Sequence, residues 1–274
     1  MKHLYHISLG LVLGAVILAS CNGFRKIQKS DDWKVKYEAG LKYFQKRDYY
    51  RSSLLFEDIS PTVRGLPEGE KTEFYLAYCH YYEKSYLLAS NQFKVFYETY
   101  GRSSYVEEAS FMYAYSLFAA SPDSNLDQKT NIEAMEALQV FLNHYPNSEY
   151  NEKATNAINI CQEKLEKKGF ENAYQYFKIR MYKASTVAFD NFILSFPDSK
   201  YVEEAFYLKI VAQYKIATKS FSSLQRERYQ LVLDYYLEFL DKYPNSAFLK
   251  DAEDIYTSSM TNINNLKTTK NNNS

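Results

Sequence analysis

The feature that most constrains this chain is an eleven-residue stretch that recurs along it. HYPNSEYNEKA begins at His144, SFPDSKYVEEA at Ser195 and KYPNSAFLKDA at Lys242, while TYGRSSYVEEA at Thr99 is a fourth copy without the proline. Self-similarity at a spacing of tens of residues is typical of repeat proteins, which stack one supersecondary unit many times. The chain is therefore expected to be an array of similar units.

Each copy has the composition of a helix end, a turn and a helix start. An aromatic residue closes the first helix, and the proline stops it because its ring removes an N–H donor and clashes with the preceding turn. Asn or Asp and then Ser are expected to cap the next helix, and an acidic residue favours the positive end of its dipole. The final alanine is expected where two helices approach closely. The residues assigned to these joints are Phe96, Phe141, Pro146, Ala154, Phe192, Pro197, Ala205, Phe239, Pro244 and Ala252.

The spacing between joints defines a two-helix unit. Small or apolar positions of the first helices are expected at Gly40, Ala77, Ala114, Ala173 and Ile210. In repeats one, two and four, the apolar residue of the second helix follows the first-helix position after 19 residues. A further 18 residues lead from it to the first-helix position of the next repeat. Repeats three and five need offsets of 27 and 29, which predicts insertions of 8 and 10 residues near SPDSNLDQKT and TKSFSSLQRE. From Phe141 to the next first-helix position the spacing is 32 residues and not 18. The 14 extra residues predict a lengthened helix that begins at about Tyr150.

A small residue, an aromatic three residues later, a second small residue and a Phe near a proline-terminated end form the tetratricopeptide pattern. The sequence thus predicts an all-α fold, a right-handed superhelical solenoid of five tetratricopeptide repeats over residues 32–256, with an N-terminal half of about 32–120 and a C-terminal half of about 121–256. The alternative, a generic helical bundle, gives no reason for constant offsets. Ser60 to Lys71 is expected to form a loop in place of a tight joint, and the polar residues 257–274 a disordered tail.

The beginning of the chain has the pattern of a lipoprotein signal. Lys2 gives a positive start, Leu9 to Ile17 is apolar but too short to span a bilayer with any margin, and LASC ends at Cys21. Residues 1–20 are therefore predicted to be a signal peptide, Cys21 the acylated first residue of the mature chain, and residues 21–31 a linker. Two or three acyl chains anchor firmly, at roughly 0.8 kcal/mol per buried CH₂. A plain signal peptide with a chance cysteine and an uncleaved anchor are the alternatives.

Composition argues against several classes of protein. Lys and Arg number 33, as do Asp and Glu, so the basic excess of a nucleic-acid-binding protein is missing. Cys79 and Cys161 have no CxxC spacing and predict buried thiols rather than a disulfide framework. His80 and His144 are the histidines of the mature chain, and no HExxH, GxSxG, GxGxxG or P-loop occurs. We therefore expect no enzyme, no metal site and no cofactor.

A lipobox followed by five tetratricopeptide repeats, with YPNSEY ending the third, FPDSKY ending the fourth and a long helix between them, resembles the BamD family of outer-membrane assembly lipoproteins. The resemblance covers essentially the whole mature chain. It implies a non-catalytic scaffold of the β-barrel assembly machine, lipid-anchored on the periplasmic face of the outer membrane. The implied partners are the periplasmic domains of the barrel-forming subunit at the C-terminal repeats, other assembly lipoproteins, and unfolded outer-membrane proteins at the N-terminal repeats, which the scaffold helps to insert.

A groove for those unfolded substrates is expected on the first helices of repeats one and two, which line the concave face of a tetratricopeptide superhelix. Its predicted residues are Tyr37, Leu41, Phe44, Phe74, Tyr78, Tyr81 and Tyr82, with Lys34 and Lys71 at the edge. An aromatic groove with cations suits an extended segment that ends in an aromatic residue and a carboxylate. The alternative is that several of these tyrosines only pack between helices.

Two other functions remain open from the sequence. A glycan-capturing lipoprotein could also use tetratricopeptide repeats and aromatic residues, but the predicted insertions of about 8 and 10 residues are too short for a ligand-bearing domain. A lipoprotein that coordinates envelope growth or division is the other. If the chain is an assembly scaffold, docking is expected on the long helix from about Tyr150 to Met181 and near Arg226 and Arg228.

Overall fold

The computed structural model of the protein describes residues 23–272, with side chains as far as residue 266. Cys21 and the predicted signal peptide therefore lie outside the described residues. Within that range the chain is helical with no strand, which confirms the predicted all-α class. After a helical turn at residues 23–28, the helices are α1 (Trp33–Gln45), α2 (Tyr49–Val63), α3 (Pro67–Tyr82), α4 (Tyr86–Thr99), α5 (Val106–Ala120), α6 (Lys129–His144), α7 (Asn151–Lys178), α8 (Tyr182–Ser195), α9 (Val202–Thr218), α10 (Ser222–Lys242) and α11 (Leu249–Asn272).

The chain divides into two compact units. Unit one consists of the residues up to Pro122 together with Asp127–Cys161, and so contains α1–α6 and the start of α7. Unit two consists of Asp123–Leu126 and the residues from Gln162 onward, with the rest of α7 and α8–α11. Apart from the four residues Asp123–Leu126, the boundary falls inside α7 and not at the predicted position near residue 120. The first turns of α7 pack into the core of unit one, and its last turns pack into the core of unit two.

The small or apolar positions predicted for the first helices are buried between neighbouring helices. Gly40, Ala77 and Ala114 are buried in unit one, and Ala173 and Ile210 are buried in unit two. Consecutive helices pack against one another from α1 to α6 and again from α8 to α11. Large buried rings fill the space between them, among them Phe56, Phe93, Phe96 and Phe141 in unit one and Phe189, Phe192 and Phe239 in unit two.

The turns after α1, α3 and α7 share one geometry that the sequence reading missed. Arg47, Lys84 and Arg180 occupy the left-handed region, with φ of 61°, 63° and 65°. In each turn the N–H of the basic residue donates to the carbonyl three residues back, at 2.9, 3.0 and 2.9 Å, and the next N–H donates to the carbonyl five residues back. This is the double hydrogen bond of a Schellman helix end, in which glycine is the usual left-handed residue. The three turns belong to the three repeats that have the offset of 19.

The proline-containing joints also share one geometry. Helices α6, α8 and α10 end just before the aromatic residue that precedes each proline, and that residue's N–H donates to the carbonyl of Phe141, Phe192 or Phe239 at 2.9, 2.9 or 2.8 Å. These three rings and that of Phe96 are buried. The joint alanines Ala154, Ala205 and Ala252 are also buried, whereas Pro146, Pro197 and Pro244 are exposed.

The joint serines do not cap the following helices, contrary to the prediction. Oγ of Ser148 accepts from the N–H of Tyr150 at 3.2 Å, and Oγ of Ser246 accepts from the N–H of Phe248 at 3.0 Å. Each serine lies three residues before its helix begins, so its short side chain reaches only the N–H two residues ahead. The serine therefore closes the turn, and α9, for example, begins without a side-chain hydrogen bond at its N-cap, Tyr201.

The extra residues predicted from the offsets are placed in two ways. In the third pair they form the connection 121–128 between α5 and α6. In the fifth pair they extend the helices, since α9 has 17 residues and α10 has 21, and only residues 219–221 connect them. The lengthened helix from about Tyr150 is α7, which has 28 residues where α5 has 15.

The predicted loop from Ser60 to Lys71 is wrong. Helix α2 continues through Pro61 to Val63, α3 begins at Pro67, and only residues 64–66 connect them. Gly69 makes this tight joint possible, because a Cβ there would lie 2.3 Å from the carbonyl oxygen of Val63. The predicted loop is thus largely two helix ends.

The predicted disordered tail is also wrong where the structure describes it. Helix α11 runs from Leu249 to Asn272. Ser259 and Ile263 are buried, and Ile263 packs with Ala217, Tyr229 and Leu233 of the two preceding helices. This apolar contact holds a segment whose composition is polar.

None of the helices in the described residues is both long enough and apolar enough to cross a membrane.

Candidate functional site

An aromatic cluster lies in unit one, where α1 turns into α2 beside the C-terminal half of α3. Phe44 is at its centre, with ring centroids 5.4 Å from Tyr49, 4.8 Å from Tyr75, 6.4 Å from Tyr78 and 6.2 Å from Tyr82. Such centroid distances are those of favourable aromatic pairs. The structure thus brings together three of the predicted groove residues, Phe44 of α1 and Tyr78 and Tyr82 of α3.

The outer surface of this cluster is an exposed tyrosine stack. The rings of Tyr49 and Tyr82 are nearly parallel, with centroids 4.4 Å apart and an interplanar angle of 20°. Tyr78 stacks behind Tyr82 at 5.8 Å. Tyr82 remains 47% exposed, so one face of the stack is available to a ligand.

A cleft of about 290 Å³ opens beside the stack. Its lining residues are Leu41, Phe44, Gln45, Arg47, Tyr49 and Tyr75. Leu41 and Phe44 were predicted for the groove, whereas the other four were not. The walls are mainly apolar, and the polar groups are an amide, two phenols and one guanidinium. This combination suits a ligand with an apolar side chain and an anionic group.

Arg47 supplies the positive charge of the cleft. It is exposed, and its left-handed conformation is fixed by the Schellman turn between α1 and α2. Burial raises the pKa of the Tyr82 phenol, and the nearby Arg47 guanidinium opposes that rise. The charge therefore lies close to the tyrosine stack. The sequence signal that could have identified Arg47 is a basic residue two positions before a tyrosine, present in RDYY, KSYL and RMYK.

Glu108 of α5 supplies a negative charge on the inner side of the cluster. The Tyr78 hydroxyl donates a hydrogen bond to Oε1 of Glu108. Burial, and then this hydrogen bond, raise the pKa of Tyr78 far above its ordinary value, so the phenol stays protonated. Charges of opposite sign therefore flank the tyrosines, with Arg47 at the rim and Glu108 behind.

Two predicted groove residues belong to the core. Phe74 is 3% exposed and packs against Phe93, Phe96 and Tyr105, and Tyr37 is 8% exposed and packs against Phe56. Both belong to first helices, as predicted, but they point towards the neighbouring helix of the stack. Side chains this deeply buried cannot line an open groove, so this part of the prediction is wrong.

The predicted edge cations are at the other ends of their helices. Lys34 is exposed in the first turn of α1, with Nζ 5.6 Å from the Trp33 ring. At 1.5 Å per residue it lies about 10 Å along the axis from Leu41, and Lys71 lies about 16 Å along α3 from Tyr82. Neither lysine borders the tyrosine stack.

Tyr81 lies on the side of the cluster that faces α4 and α5. Its ring contacts Tyr82, Tyr86 and Tyr115, and burial raises its pKa to about 12. A second cleft, of about 370 Å³, lies near this side. It occupies the turn equivalent to that of Arg47 and is lined by Lys84, Ser85, Tyr86, Leu87, Leu88 and Ala120. Its walls are more aliphatic than those of the first cleft.

Unit two has an exposed apolar site at the turn between α9 and α10. Phe221 is 84% exposed at the start of α10, and Leu224 one turn later is also exposed. Of the two arginines predicted here, Arg226 is exposed, whereas Arg228 donates a hydrogen bond to Oγ of Ser220. Sequence reasoning missed Phe221, which an isolated aromatic residue inside the polar run TKSFSS could have indicated.

The two cysteines that the structure describes are both buried. Cys79 and Cys161 are buried, as predicted, and are not joined in a disulfide; burial raises the pKa of Cys79 to about 12. The described residues include no group of three or more His, Cys, Asp or Glu that could hold a metal ion.

The chain is similar in sequence to known lipoproteins. A family model described as "Outer membrane lipoprotein" (YfiO) matches residues 29–185 and 162–266. "Outer membrane protein assembly factor BamD" of Neisseria gonorrhoeae is 24% identical over 266 residues, which cover 92% of this chain and 94% of that protein. The protein of the same name from Neisseria meningitidis serogroup B is 24% identical over 264 residues, which cover 91% and 94%.

Proposed function

The chain belongs to the outer membrane lipoprotein family that the YfiO model describes, and we propose that it is a scaffold of outer-membrane protein assembly. Its relatives of nearly equal length are named assembly factors. In this proposal Cys21 is acylated and anchors the protein on the periplasmic face of the outer membrane. The scaffold docks the barrel-forming subunit and helps to insert outer-membrane proteins, without catalysis.

The proposal includes the five-repeat tetratricopeptide solenoid. Its support is the recurrence of two kinds of turn. The left-handed turns at Arg47, Lys84 and Arg180 each lie within a helix pair, and the joints that precede α7, α9 and α11 each lie between successive pairs. A bundle assembled from unrelated helices would not need the same turns at alternating positions.

One observation carries the substrate part of the proposal: an open aromatic cleft has a single arginine at its rim. The volume of about 290 Å³ is at the lower end of the range for ligand sites, so it fits one large side chain and not a drug-sized ligand. The terminal aromatic residue of an unfolded barrel protein would stack on Tyr49 and Tyr82. Its carboxylate would then lie near Arg47, where the charge-assisted hydrogen bond is favourable.

Glu108 supports this direction of binding. Its carboxylate is held behind the cluster by the Tyr78 hydroxyl, so a peptide carboxylate is repelled from the inner side and attracted to the rim. The preceding residues of the peptide would then extend along the exposed face of the stack. A ligand without a terminal carboxylate gains nothing from this pair of charges.

A peptide titration tests the site. A peptide that ends in Phe with a free carboxylate should bind roughly tenfold more tightly than its C-terminal amide, because a hydrogen bond to a charged group contributes about 1.5–3 kcal/mol and exposure reduces that value. Arg47→Gly should remove this preference, and Tyr82→Ala should weaken both peptides by about 1–3 kcal/mol. Arg180→Gly, which changes the same turn in unit two, is the control and should bind like the natural chain.

Equal affinity for the acid and the amide would contradict the role of Arg47. Loss of binding in Lys84→Gly but not in Arg47→Gly would move the site to the second cleft. All three glycine variants should be as stable as the natural chain or more so, by up to about 1 kcal/mol, because glycine adopts a positive φ without strain. Unfolding therefore cannot explain a loss of affinity.

We place docking of the assembly subunit in unit two, at Phe221 and Leu224. Exposed aromatic residues are common anchors of protein interfaces. Phe221→Ala should weaken binding of the subunit's periplasmic domains by about 2 kcal/mol or more while the peptide still binds. Leu194→Ala is the matched control, because Leu194 is 82% exposed in the same unit. Equal losses in both variants would show that general surface hydrophobicity, and not this turn, drives docking.

A further inference from the structure

The segment that follows the predicted lipid site packs against the first helix pair. The ring of Phe24 meets that of Tyr43 edge to face with centroids 5.6 Å apart, and Cζ of Arg51 lies 5.6 Å from the Phe24 centroid. The N–H of Lys29 donates to the carbonyl of Arg25 at 3.1 Å, and Oδ1 of Asp32 accepts from the first turn of α1. The helical turn at residues 23–28, part of the predicted linker, is therefore held against the first helix pair, and residues 29–32 connect it to α1.

This packing limits how far the first helix pair can lie from the membrane. Cys21 precedes Phe24 by three residues, and three residues of fully extended chain span at most about 11 Å. If Cys21 is acylated, as the proposed function includes, the contact of Phe24 with Tyr43 lies within about 11 Å of the lipid attachment. The bilayer is then a near neighbour of α1.

The surface in this position is basic. Residues 23–51 contain nine Lys and Arg against four Asp and Glu, a net charge of +5 in a chain whose formal net charge is zero. In the helical turn, Phe24 and Ile27 are half-buried while Arg25, Lys26 and Lys29 are exposed. The three cations are therefore on the solvent side of the turn, and the apolar pair is on the side that faces the protein.

Helix α1 continues this surface. Val35, Lys42 and Lys46 are exposed and lie on one stripe, at spacings of seven and four residues, with Glu38 as the one acidic residue on it. At about 100° per residue, Phe44 lies about 200° around the helix from Lys42. Leu41 and Gln45, which also line the cleft, lie about 100° and 60° from Lys42, so the cleft is beside the stripe and only its Phe44 wall faces the opposite way.

We propose that the outer stripe of α1 and the helical turn before it lie on anionic phospholipid headgroups beside the acylated cysteine. One acyl anchor with an adjacent basic patch is a known physical means of firm attachment, and each cation near an anionic surface contributes about 1 kcal/mol, or roughly fivefold in binding. The contact would leave the aromatic cleft beside the bilayer, with its Phe44 wall turned away from the headgroups. An apolar Val35 within the basic stripe is compatible with shallow contact with the headgroup region.

Vesicle binding by the unacylated mature chain tests the charge of this surface. The chain from residue 21 with Cys21→Ser is titrated with phosphatidylcholine vesicles that contain either 30% or no phosphatidylglycerol. Binding is expected only with the anionic vesicles and should weaken steeply as salt is raised. Lys42→Gln with Lys46→Gln should weaken it roughly 25-fold, as two cations of about fivefold each. Lys183→Gln with Lys250→Gln removes two exposed lysines of unit two and should have no effect.

Equal binding to both vesicles, or equal losses in the two double variants, would overturn the proposal. Because the measurement needs no acyl chain, it fails or succeeds independently of acylation and of the peptide titration. A spin label tests the orientation in the acylated protein, since the natural Cys79 and Cys161 are buried. A label at Val35→Cys should be relaxed by nickel-chelating headgroups and one at Leu194→Cys should not. Equal relaxation at both positions would also overturn the proposal.

Discussion

The packing of Gly40 against Phe56 leads to a prediction whose sign follows from the geometry. Gly40 is in the middle of α1, and a Cβ added there would lie 2.7 Å from Cε1 of Phe56, 3.0 Å from Cζ and 3.1 Å from Cδ1. Phe56 is fully buried in α2, so its ring has no free space to enter. Gly40→Ala is therefore expected to overpack the contact between α1 and α2.

Two effects of opposite sign determine the size of the change. Overpacking costs about 1–3 kcal/mol, whereas replacing a glycine by alanine inside a helix stabilises by about 1 kcal/mol. The net effect in the natural chain is a loss of about 0–2 kcal/mol. In a Phe56→Leu background the ring is absent, so Gly40→Ala should stabilise by up to about 1 kcal/mol. The coupling energy of this double-mutant cycle is then about 1–3 kcal/mol.

The single tryptophan makes the assay local. Trp33 lies in α1 and packs against the cluster that contains Phe56. Its fluorescence during urea unfolding reports on this helix pair, while far-ultraviolet circular dichroism reports on all helices. The distinction matters because units of a repeat array contact mainly their neighbours. A coupling energy within about 0.3 kcal/mol of zero would refute the reasoning, since the helix-propensity effect cancels in the cycle.

Three further outcomes are expected. Phe192→Ala should cost about 3–5 kcal/mol in thermal unfolding, because the ring is buried in the core of unit two; an unchanged melting temperature would contradict this. Gly69→Ala should destabilise the chain, because the new Cβ meets the Val63 carbonyl, whereas Gly101→Ala has no neighbour within 4 Å and serves as the control. Because the pKa of Tyr78 is raised in the folded state, only the unfolded state loses this proton just above pH 10. The free energy of unfolding should therefore fall by about 1.4 kcal/mol per pH unit from this group above pH 10. In urea titrations at alkaline pH, Tyr78→Phe should show a smaller fall with pH than the natural chain.

Features that depend on local chemistry could be predicted from the sequence. The joints that precede α7, α9 and α11 follow from an aromatic residue, a proline and short polar residues within a few positions, whose effects on the backbone are the same in any surroundings. The small residues between helices could be found from their constant spacing. The extra length of α7 followed from the same count, because 14 added residues are compatible with a longer helix.

Features that depend on contacts between distant residues could not be predicted from the sequence. The segment after Tyr256 is polar, and its helix is held by distant contacts such as the packing of Ile263 against α9 and α10. Phe74 and Tyr78 are one helical turn apart, yet the first is core and the second meets the cleft cluster, because their neighbours on α4 and α5 differ. Periodicity identified the helix face but not the depth of each residue on it.

The cation of the cleft shows how a general turn acquires a specific role. The left-handed conformation of Arg47 recurs at Lys84 and Arg180 with the same two hydrogen bonds, so the turn geometry itself imposes it and function is not needed to explain its cost of about 1 kcal/mol. What differs is the surroundings, since only Arg47 lies beside the stack of Tyr49 and Tyr82. A repeated scaffold therefore supplies a basic residue at each such turn, and neighbouring aromatic side chains determine which of those charges lies in a cleft suited to a peptide carboxylate.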